Sequence, residues 1–198
     1  KDLYEGDECY IRLSADSESH NDPLQSVLVK VKQQGKELCE FCNVNQGIVT
    51  GADKLSDRHI NNYGIKGEVG EGIFVLDEEE VSHLSLTSSD RKQLKPWSKN
   101  SDIMKYFTRI STRNKIIYLD RKAVEISDNY RKFLSKYKQL LIQRREVANE
   151  VINWWQLQWP RDKSIFESPK IVAPQRSPRN TFGYNEILWY AASDVFFI

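Results

Sequence analysis

The sequence lacks any apolar run long enough to cross a membrane, and it also lacks the short motifs of common enzymes. No GxSxG or HExxH is present, and the glycines of Gly67–Gly72 are accompanied by no basic residue that would hold a phosphate. The three histidines, His20, His59 and His83, belong to no nucleophile or metal motif. These absences argue against a serine hydrolase, a zinc protease and a nucleotide-dependent enzyme.

Cysteine is scarce, and its odd count of three argues against a secreted disulfide scaffold. We therefore expect a reducing, cytoplasmic compartment. Cys39 and Cys42 form a CxxC pair within a segment that reads as a strand, so they are expected to be ordinary strand cysteines, buried and inert. A zinc site would need two further ligands, for which Cys9 and His59 are the candidates, although neither has a paired spacing.

Each half of the chain is depleted in one sign of charge: basic residues are few in 1–90 and acidic residues are few in 91–198. Residues 1–90 contain 8 Lys and Arg against 18 Asp and Glu, whereas residues 91–198 contain 21 against 10. Such asymmetry indicates a polyanionic partner for the basic half. The alternative is that both signs are spread over solvated faces.

Short alternating apolar segments dominate the front half and predict an α+β protein with a β-rich front. Residues 33–36 are predicted to form a hairpin turn, and the acids Asp77–Glu80 to open a short helical turn. Strands are predicted at Glu8–Leu13, Ser26–Val31, Leu38–Val44 and Gly72–Leu76.

One long amphipathic helix is predicted from Asp128 to Trp154, because apolar residues recur there at three- and four-residue spacing. Mixed or antiparallel strands are expected afterwards, at Lys170–Ala173 and Val195–Ile198. The pattern suggests an acidic lobe over 1–90 and a basic region over 91–198, which together form one domain. The missing initiator Met and the apolar end predict a piece of a longer protein.

Three clusters in the basic half combine positive charge with aromatic or proline residues: Lys95–Asn100, Trp159–Lys163 and Gln175–Asn180. The last lies in an acid-free stretch, 170–185, and contains a proline that stiffens the chain where charge is displayed. Lys and Arg neutralise phosphates, and Arg, Asn and Gln distinguish bases. The clusters therefore predict nucleic-acid contact. The tryptophans Trp154, Trp155 and Trp159 are predicted to belong to the core.

Several of these segments resemble one family, in order and spacing, over roughly residues 45–198. They are the GIVTGADK strand and turn at 47–54, the KPWSKNSDI run at 95–103, the WWQLQWPR segment at 154–161, FESPKIVAPQR at 166–176, FGY at 182–184 and ASDVFFI at 192–198. Together they resemble the TaqI-like C-terminal specificity domain of adenine-specific DNA methyltransferases and type IIG restriction–modification enzymes. Asp53 stands where the family pattern usually has Asn.

The resemblance implies a target-recognition domain that binds double-stranded DNA beside the methyltransferase domain of its parent chain. The parent would use S-adenosylmethionine, and Mg²⁺ if a nuclease is fused to it. This chain contains neither the (N/D/S)PP(Y/F) motif nor a nuclease set, so no catalytic residue, metal or cofactor is expected in it. Arg176, Arg179 and Asn180 are candidates for contacts to base edges or nearby phosphates. The phosphate-contact candidates are Lys95, Lys99, Arg161 and Lys163, with Thr50 and Lys54 as additional contacts.

Two alternatives remain open on the sequence. The acidic front, the basic back and the long helix would suit a protein-interaction module that docks on a partner subunit without touching DNA. A small metal-dependent hydrolase built on Asp77–Glu80 is the second alternative.

Overall fold

The computed structural model describes residues 4–5, 8–9, 23–110 and 112–198. Internal contacts divide the chain into a first unit, Lys1–Cys42, and a second unit, Asn43–Ile198. In the first unit, strands β1 (Tyr4–Glu5) and β2 (Glu8–Cys9) pair antiparallel. Helix α1 (Pro23–Gln34) and a 3₁₀ turn at Leu38–Glu40 complete its described elements.

The predicted strand at Ser26–Val31 and the hairpin after it are wrong, because α1 occupies that segment. Pro23 stands in the first helical turn, where its missing N–H costs nothing, and Gly35 donates its N–H to the Val31 carbonyl oxygen over 2.7 Å as the helix ends. The front half is therefore not β-rich over the residues described. The predicted strand from Glu8 is present at Glu8–Cys9, and its remainder lies outside the described residues.

The second unit contains nine strands: β3 (Asn45–Gln46), β4 (Val75–Asp77), β5 (Leu94–Ser98), β6 (Tyr106–Phe107), β7 (Asn114–Ile117), β8 (Lys170–Pro174), β9 (Gly183–Asn185), β10 (Tyr190–Ala191) and β11 (Val195–Phe197), all among the residues that the structure describes. They form a four-stranded and a five-stranded mixed sheet, with strand orders β10-β5-β7-β4 and β3-β11-β8-β9-β6. Strand β4 precedes residue 90 and pairs with β7 beyond it, so the first sheet joins the acidic and basic stretches.

Short helices connect these strands, and the α+β class is confirmed. Polar side chains begin several of them. Asp77 accepts the Glu80 N–H at 2.8 Å while the Glu80 carboxylate accepts the Asp77 N–H at 2.8 Å, which explains part of the acidic run as a helix cap. The helices are α2 (Asp57–Tyr63), α3 (Glu78–Ser82), α4 (Ser88–Arg91), α5 (Asp128–Ser135), α6 (Lys138–Leu141), α7 (Arg145–Ala148) and α8 (Ser164–Glu167).

The predicted long helix from Asp128 to Trp154 is wrong, since the segment forms α5, α6 and α7 in succession. Tyr137 leaves the helical conformation with φ −106° and ψ 6°, and its hydroxyl donates to Glu71 at 2.9 Å. Arg144 is extended with ψ 133°, which directs its side chain into the protein. The apolar spacing was a true sign of burial on one side, but these inward bonds interrupt the helix.

The mixed strands predicted at the C-terminal end are confirmed, and a group of buried rings joins the two sheets there. Phe166 of α8 lies 4.7 Å from Tyr190 of β10 and 5.0 Å from Phe197 of β11, between ring centroids. Trp189 lies 5.9 Å from Phe197. Because side chains from both sheets meet in one cluster, the loops at the ends of the strands are held on a common core.

Within the part of the chain that the structure describes, no helix combines the length and the apolar character needed to cross a membrane.

Candidate nucleic-acid interface

The loop between β8 and β9, residues 175–182, displays three of the predicted site residues. Arg176, Arg179 and Asn180 are all exposed. In the described part of the chain, no carboxylate forms an ion pair with either arginine. Gln175 anchors the loop at its start, since its N–H donates to the Asp194 carbonyl at 2.7 Å. The loop therefore presents two uncompensated guanidinium groups and an amide beside a fixed strand.

Polar bonds inside the same loop restrain its backbone. The Thr181 hydroxyl donates to the Arg179 carbonyl at 3.2 Å, and the Arg179 N–H donates to the Ser177 hydroxyl oxygen at 3.4 Å. These contacts reduce the conformational freedom that a long polar loop would otherwise lose on binding.

A second positive surface surrounds Trp159 and forms a pocket of about 400 Å³, here called the Trp159 pocket. The Arg121 guanidinium lies 5.1 Å above the Trp159 ring, within the range of a cation–π contact. Four basic and two acidic side chains line it with Trp159 and Pro160: Arg121, Lys122, Arg161 and Lys163, against Asp120 and Asp162. The pocket is suited to an anionic group next to an apolar surface.

Tyr118 fixes the wall of the Trp159 pocket. Its hydroxyl donates to the carbonyl oxygens of Pro160 at 3.2 Å and Arg161 at 2.8 Å, and burial, with the charge of Asp120, raises its pKa, so it remains a donor. Arg161 has φ 63°, a left-handed conformation that is costly for a side-chain-bearing residue. Its Nε donates to the Gly47 carbonyl at 3.2 Å, which ties the pocket to the GIVTG segment.

An ion pair partly neutralises Lys163 and Asp120, whereas hydrogen bonds favour the charged form of Asp162. Lys163 Nζ lies 3.9 Å from Asp120 Oδ2 and 5.2 Å from the Tyr118 ring centroid. The Ser164 backbone N–H and hydroxyl both donate to Asp162 and lower the pKa of that carboxyl. Arg121 and Lys122 were not among the predicted site residues; the only local sign was their position in a basic segment far from Trp159 in the sequence.

The lysines of the KPWSKNSDI run differ in their surroundings. Lys95, on β5, is largely enclosed and its Nζ lies 3.7 Å from Glu167 Oε1. Lys99 is exposed just after β5, where its backbone N–H donates to Asp102 Oδ2 at 2.8 Å and its carbonyl accepts the Asp102 N–H at 2.9 Å. Lys99 is thus the freer of the two cations for an external anion.

The GIVTGADK segment buries Thr50, whereas Asp53 is exposed and Lys54 is half-buried. Thr50 is buried; its hydroxyl donates to Asp53 and accepts the Ala52 N–H at 3.1 Å. The protein around the Asp53 carboxylate desolvates it and raises its pKa, and Asp194 adds to this shift while the Thr50 bond opposes it. Lys54 Nζ lies 4.0 Å from Glu80 Oε2. Thr50 therefore supports this segment from within, through its bond to Asp53.

Arg144 organises the region, and sequence reasoning did not single it out. It is buried; Nε donates to the Leu141 carbonyl at 3.0 Å, and Nη1 to the Thr50 carbonyl at 3.0 Å and the Gln156 carbonyl at 2.8 Å. Nη2 donates to the Trp154 carbonyl at 2.6 Å. Burial lowers the pKa of Arg144 to about 10, so it stays charged at neutral pH. One guanidinium thereby joins the GIVTG and WWQLQW segments.

Two predictions about tryptophan and cysteine residues are wrong. Trp155 is buried as expected, but Trp159 is exposed over 36% of its surface because it lines the pocket. Cys39 and Cys42 lie on or next to a 3₁₀ turn instead of a strand, and Cys39 is exposed. Among the residues that the structure describes, no three His, Cys, Asp or Glu side chains are grouped so that they would hold a metal ion.

Among solved structures, 17 chains match the protein. No family model matches the chain. A solved structure of the type IIL restriction-modification enzyme MmeI in complex with DNA matches with a TM-score of 0.47 and 12% sequence identity, over 79% of this chain and 19% of that chain. The present chain therefore spans about one fifth of the length of that enzyme.

Proposed function

We propose that this chain binds double-stranded DNA in a sequence-specific manner, as the target-recognition domain of a restriction–modification enzyme with adenine-specific methyltransferase activity. The carrying observation is the 175–182 loop, in which Arg176 and Arg179 are exposed within an acid-free stretch and form no ion pair with any carboxylate of the described residues. Charge that is neither used internally nor neutralised nearby is available to DNA.

The chemistry of the loop favours reading of bases. Arg binds guanine through two hydrogen bonds and Asn binds adenine in the same way, so Arg176, Arg179 and Asn180 are assigned to base edges in the major groove. The strand pair β8–β9 fixes both ends of the loop. A rigid support matters because base discrimination requires donors at fixed positions.

The surrounding cations are assigned to phosphates, which provide affinity and register without specificity. Lys99, Arg161 and Lys163 are exposed and serve this role. Lys95 and Lys54 face Glu167 and Glu80, so they contribute less. The buried hydroxyl of Thr50 acts indirectly by holding Asp53.

The parent protein would carry the chemistry. We assign methyl transfer from S-adenosylmethionine to a separate methyltransferase domain beside this chain, and Mg²⁺ to a fused nuclease where the parent has one. The chain itself is assigned no cofactor and no catalytic residue, because its sequence lacks the motifs for either step. Such an enzyme would work in the bacterial cytoplasm, where its DNA is.

Salt dependence of binding tests this proposal. Fluorescence anisotropy would measure affinity for a pool of randomised duplexes between 50 and 200 mM salt, the interval over which several phosphate contacts lose most of their effect. The three exposed cations assigned to phosphates, Lys99, Arg161 and Lys163, give a slope of about −2.7 for log K against log[salt]. A module that docks on a protein would show no duplex affinity, and a slope near zero would contradict the proposal.

A further inference from the structure

The solvent face of the five-stranded sheet carries an exposed apolar row that crosses three neighbouring strands. Ile171 of β8 pairs with Tyr184 of β9, which pairs with Phe107 of β6. Their exposed fractions are 41%, 51% and 57%, whereas Val172 and Gly183 on the opposite face are buried. Outer faces of such sheets usually carry polar side chains, so this row is adapted to an occupant.

Two further exposed rings lie next to members of the row in the chain. Phe182, which precedes β9, is 49% exposed, and Tyr106 is 75% exposed with a φ of 78°. The strained Tyr106 backbone is held by its N–H bond to the Phe182 carbonyl at 2.6 Å, and the Met104 N–H bonds the Phe107 carbonyl at 2.9 Å. A strained residue that the surrounding bonds hold in place, with its ring in solvent, is typical of a binding position.

Basic side chains outnumber acidic ones around the row, in which Glu186 accepts the Tyr184 hydroxyl at 2.6 Å. Residues 103–119 and 170–185 contain no Asp or Glu. Lys105 Nζ lies 5.1 Å from the Tyr106 ring centroid, and Arg109 is two residues beyond Phe107 in the chain, with Asp102 as its partner at 4.0 Å. On the other side, Arg179 belongs to the loop that ends at Phe182. An occupant with negative charge is therefore favoured.

Ring faces and cations together indicate unpaired nucleobases. Four of the five exposed apolar side chains are aromatic: Tyr106, Phe107, Phe182 and Tyr184, with Ile171 the fifth. Bases stack on aromatic rings while nearby cations contact their phosphates. We propose that this row stacks the bases of a single-stranded DNA segment. The inference rests on the proposed DNA binding and assigns it a second surface.

Two alanine variants, each with a conservative counterpart, test the proposal in the intact 198-residue chain. Phe107→Ala and Tyr184→Ala remove ring faces, and Phe107→Tyr and Tyr184→Phe restore them. The matched control is Val124→Ala, an apolar side chain that is 87% exposed outside the sheet. Anisotropy would measure affinity for a labelled single-stranded oligothymidylate and for a fully paired hairpin. Each alanine should weaken single-strand binding about 5- to 150-fold and leave hairpin binding unchanged.

A photocrosslink gives a readout that a change in stability would not produce. An oligonucleotide that contains 5-iododeoxyuridine should crosslink to Phe107 or Tyr184, identified by mass spectrometry of the digested product. The ring-restoring variants should recover wild-type affinity, and Val124→Ala should not alter it.

The two proposals fail in different ways. If the chain binds the hairpin but the alanine variants bind the single strand as well as wild type does, the stacking inference is overturned and the proposed function stands. Equal losses of affinity for both DNAs in the alanine variants would also overturn the inference. So would alanine variants that keep DNA binding but no longer self-associate in light scattering, because the row would then bind a second copy of the chain. No binding to the hairpin at low salt would contradict the proposed function.

Discussion

Gly51 and Arg144 lie so close together that a side chain at Gly51 would collide with the arginine. A Cβ atom at Gly51 would stand 2.5 Å from Arg144 Cδ, and Gly51 has φ 90°. Gly70 has φ 92°, but a Cβ there would meet nothing within 4 Å. The pair allows the effect of backbone conformation to be separated from the effect of packing.

Gly51→Ala should therefore destabilise the protein more than Gly70→Ala. Both alanines lose about 1–2 kcal/mol through the left-handed backbone, and Gly51→Ala loses about 1–3 kcal/mol more because it displaces Arg144. Urea unfolding with an unchanged m-value would measure the difference. Equal losses in the free energy of unfolding would show that the Arg144 side chain moves aside without cost and does not stabilise the turn.

Arg144→Met should be strongly destabilising, because it leaves the carbonyls of Thr50, Trp154 and Gln156 without their charged donor. An unsatisfied buried acceptor costs about 1–3 kcal/mol, so we expect a loss of at least about 3 kcal/mol in the free energy of unfolding. The control is Arg131→Met, which changes an exposed arginine on α5 and should cost under about 0.5 kcal/mol. Similar losses in both variants would contradict the role of Arg144.

Because of Lys170, we expect the protein to become more stable as the pH rises into the alkaline range. It is buried, and its Nζ donates to the carbonyls of Ser168 at 2.9 Å and Ile187 at 2.7 Å. Burial lowers the pKa of Lys170 from 10.5 to about 8. The folded protein therefore releases this proton earlier than the unfolded chain does, and the penalty, complete below pH 8, is relieved as the pH rises towards 10.5.

The free energy of unfolding, measured across this interval, should rise by up to ~3 kcal/mol in the wild type relative to Lys170→Met, which cannot titrate. The difference between the two proteins isolates Lys170 from other groups that titrate at high pH. Parallel curves would show that Lys170 keeps its ordinary pKa.

Lys99 and Lys95 make a matched pair for the salt dependence of DNA binding. Lys99→Ala should weaken binding to all duplexes and flatten the slope of log K against log[salt] by about one unit, since one phosphate contact is lost. Lys95→Ala should change the slope less, because its ammonium group faces Glu167 at 3.7 Å. A larger change in slope for Lys95→Ala than for Lys99→Ala would contradict this prediction and indicate that Lys95 contacts a phosphate.

Local signals predicted the elements that depend on neighbouring residues in the chain. The apolar run that ends at Pro174 gave β8 almost to the residue, and the polar stretch after it gave an exposed loop with Arg176 and Arg179. The helix interruptions at Tyr137 and Arg144 were not predictable, because they depend on partners distant in sequence: Glu71 for Tyr137 and the Thr50 carbonyl for Arg144.

The same distinction holds for the candidate interface. Composition predicted basic clusters, and the structure shows which cations remain free. Lys95 is paired across the fold, Thr50 is buried, and Arg121 approaches Trp159 from a distant segment. None of these three relationships has a spacing that a sequence pattern would reveal, because each depends on how the two sheets pack.

Selection of a randomised duplex pool tests the central claim most directly. The chain would be equilibrated with the pool at low and moderate salt, and the bound fraction sequenced for the wild type, Arg176→Ala, Arg179→Ala and the control Arg131→Ala. We predict that wild type and Arg131→Ala enrich one short motif, and that each loop variant relaxes one position at a cost of about 1–3 kcal/mol. Enrichment that is unchanged in both loop variants, or no duplex binding at either salt, would contradict the claim that this loop reads DNA.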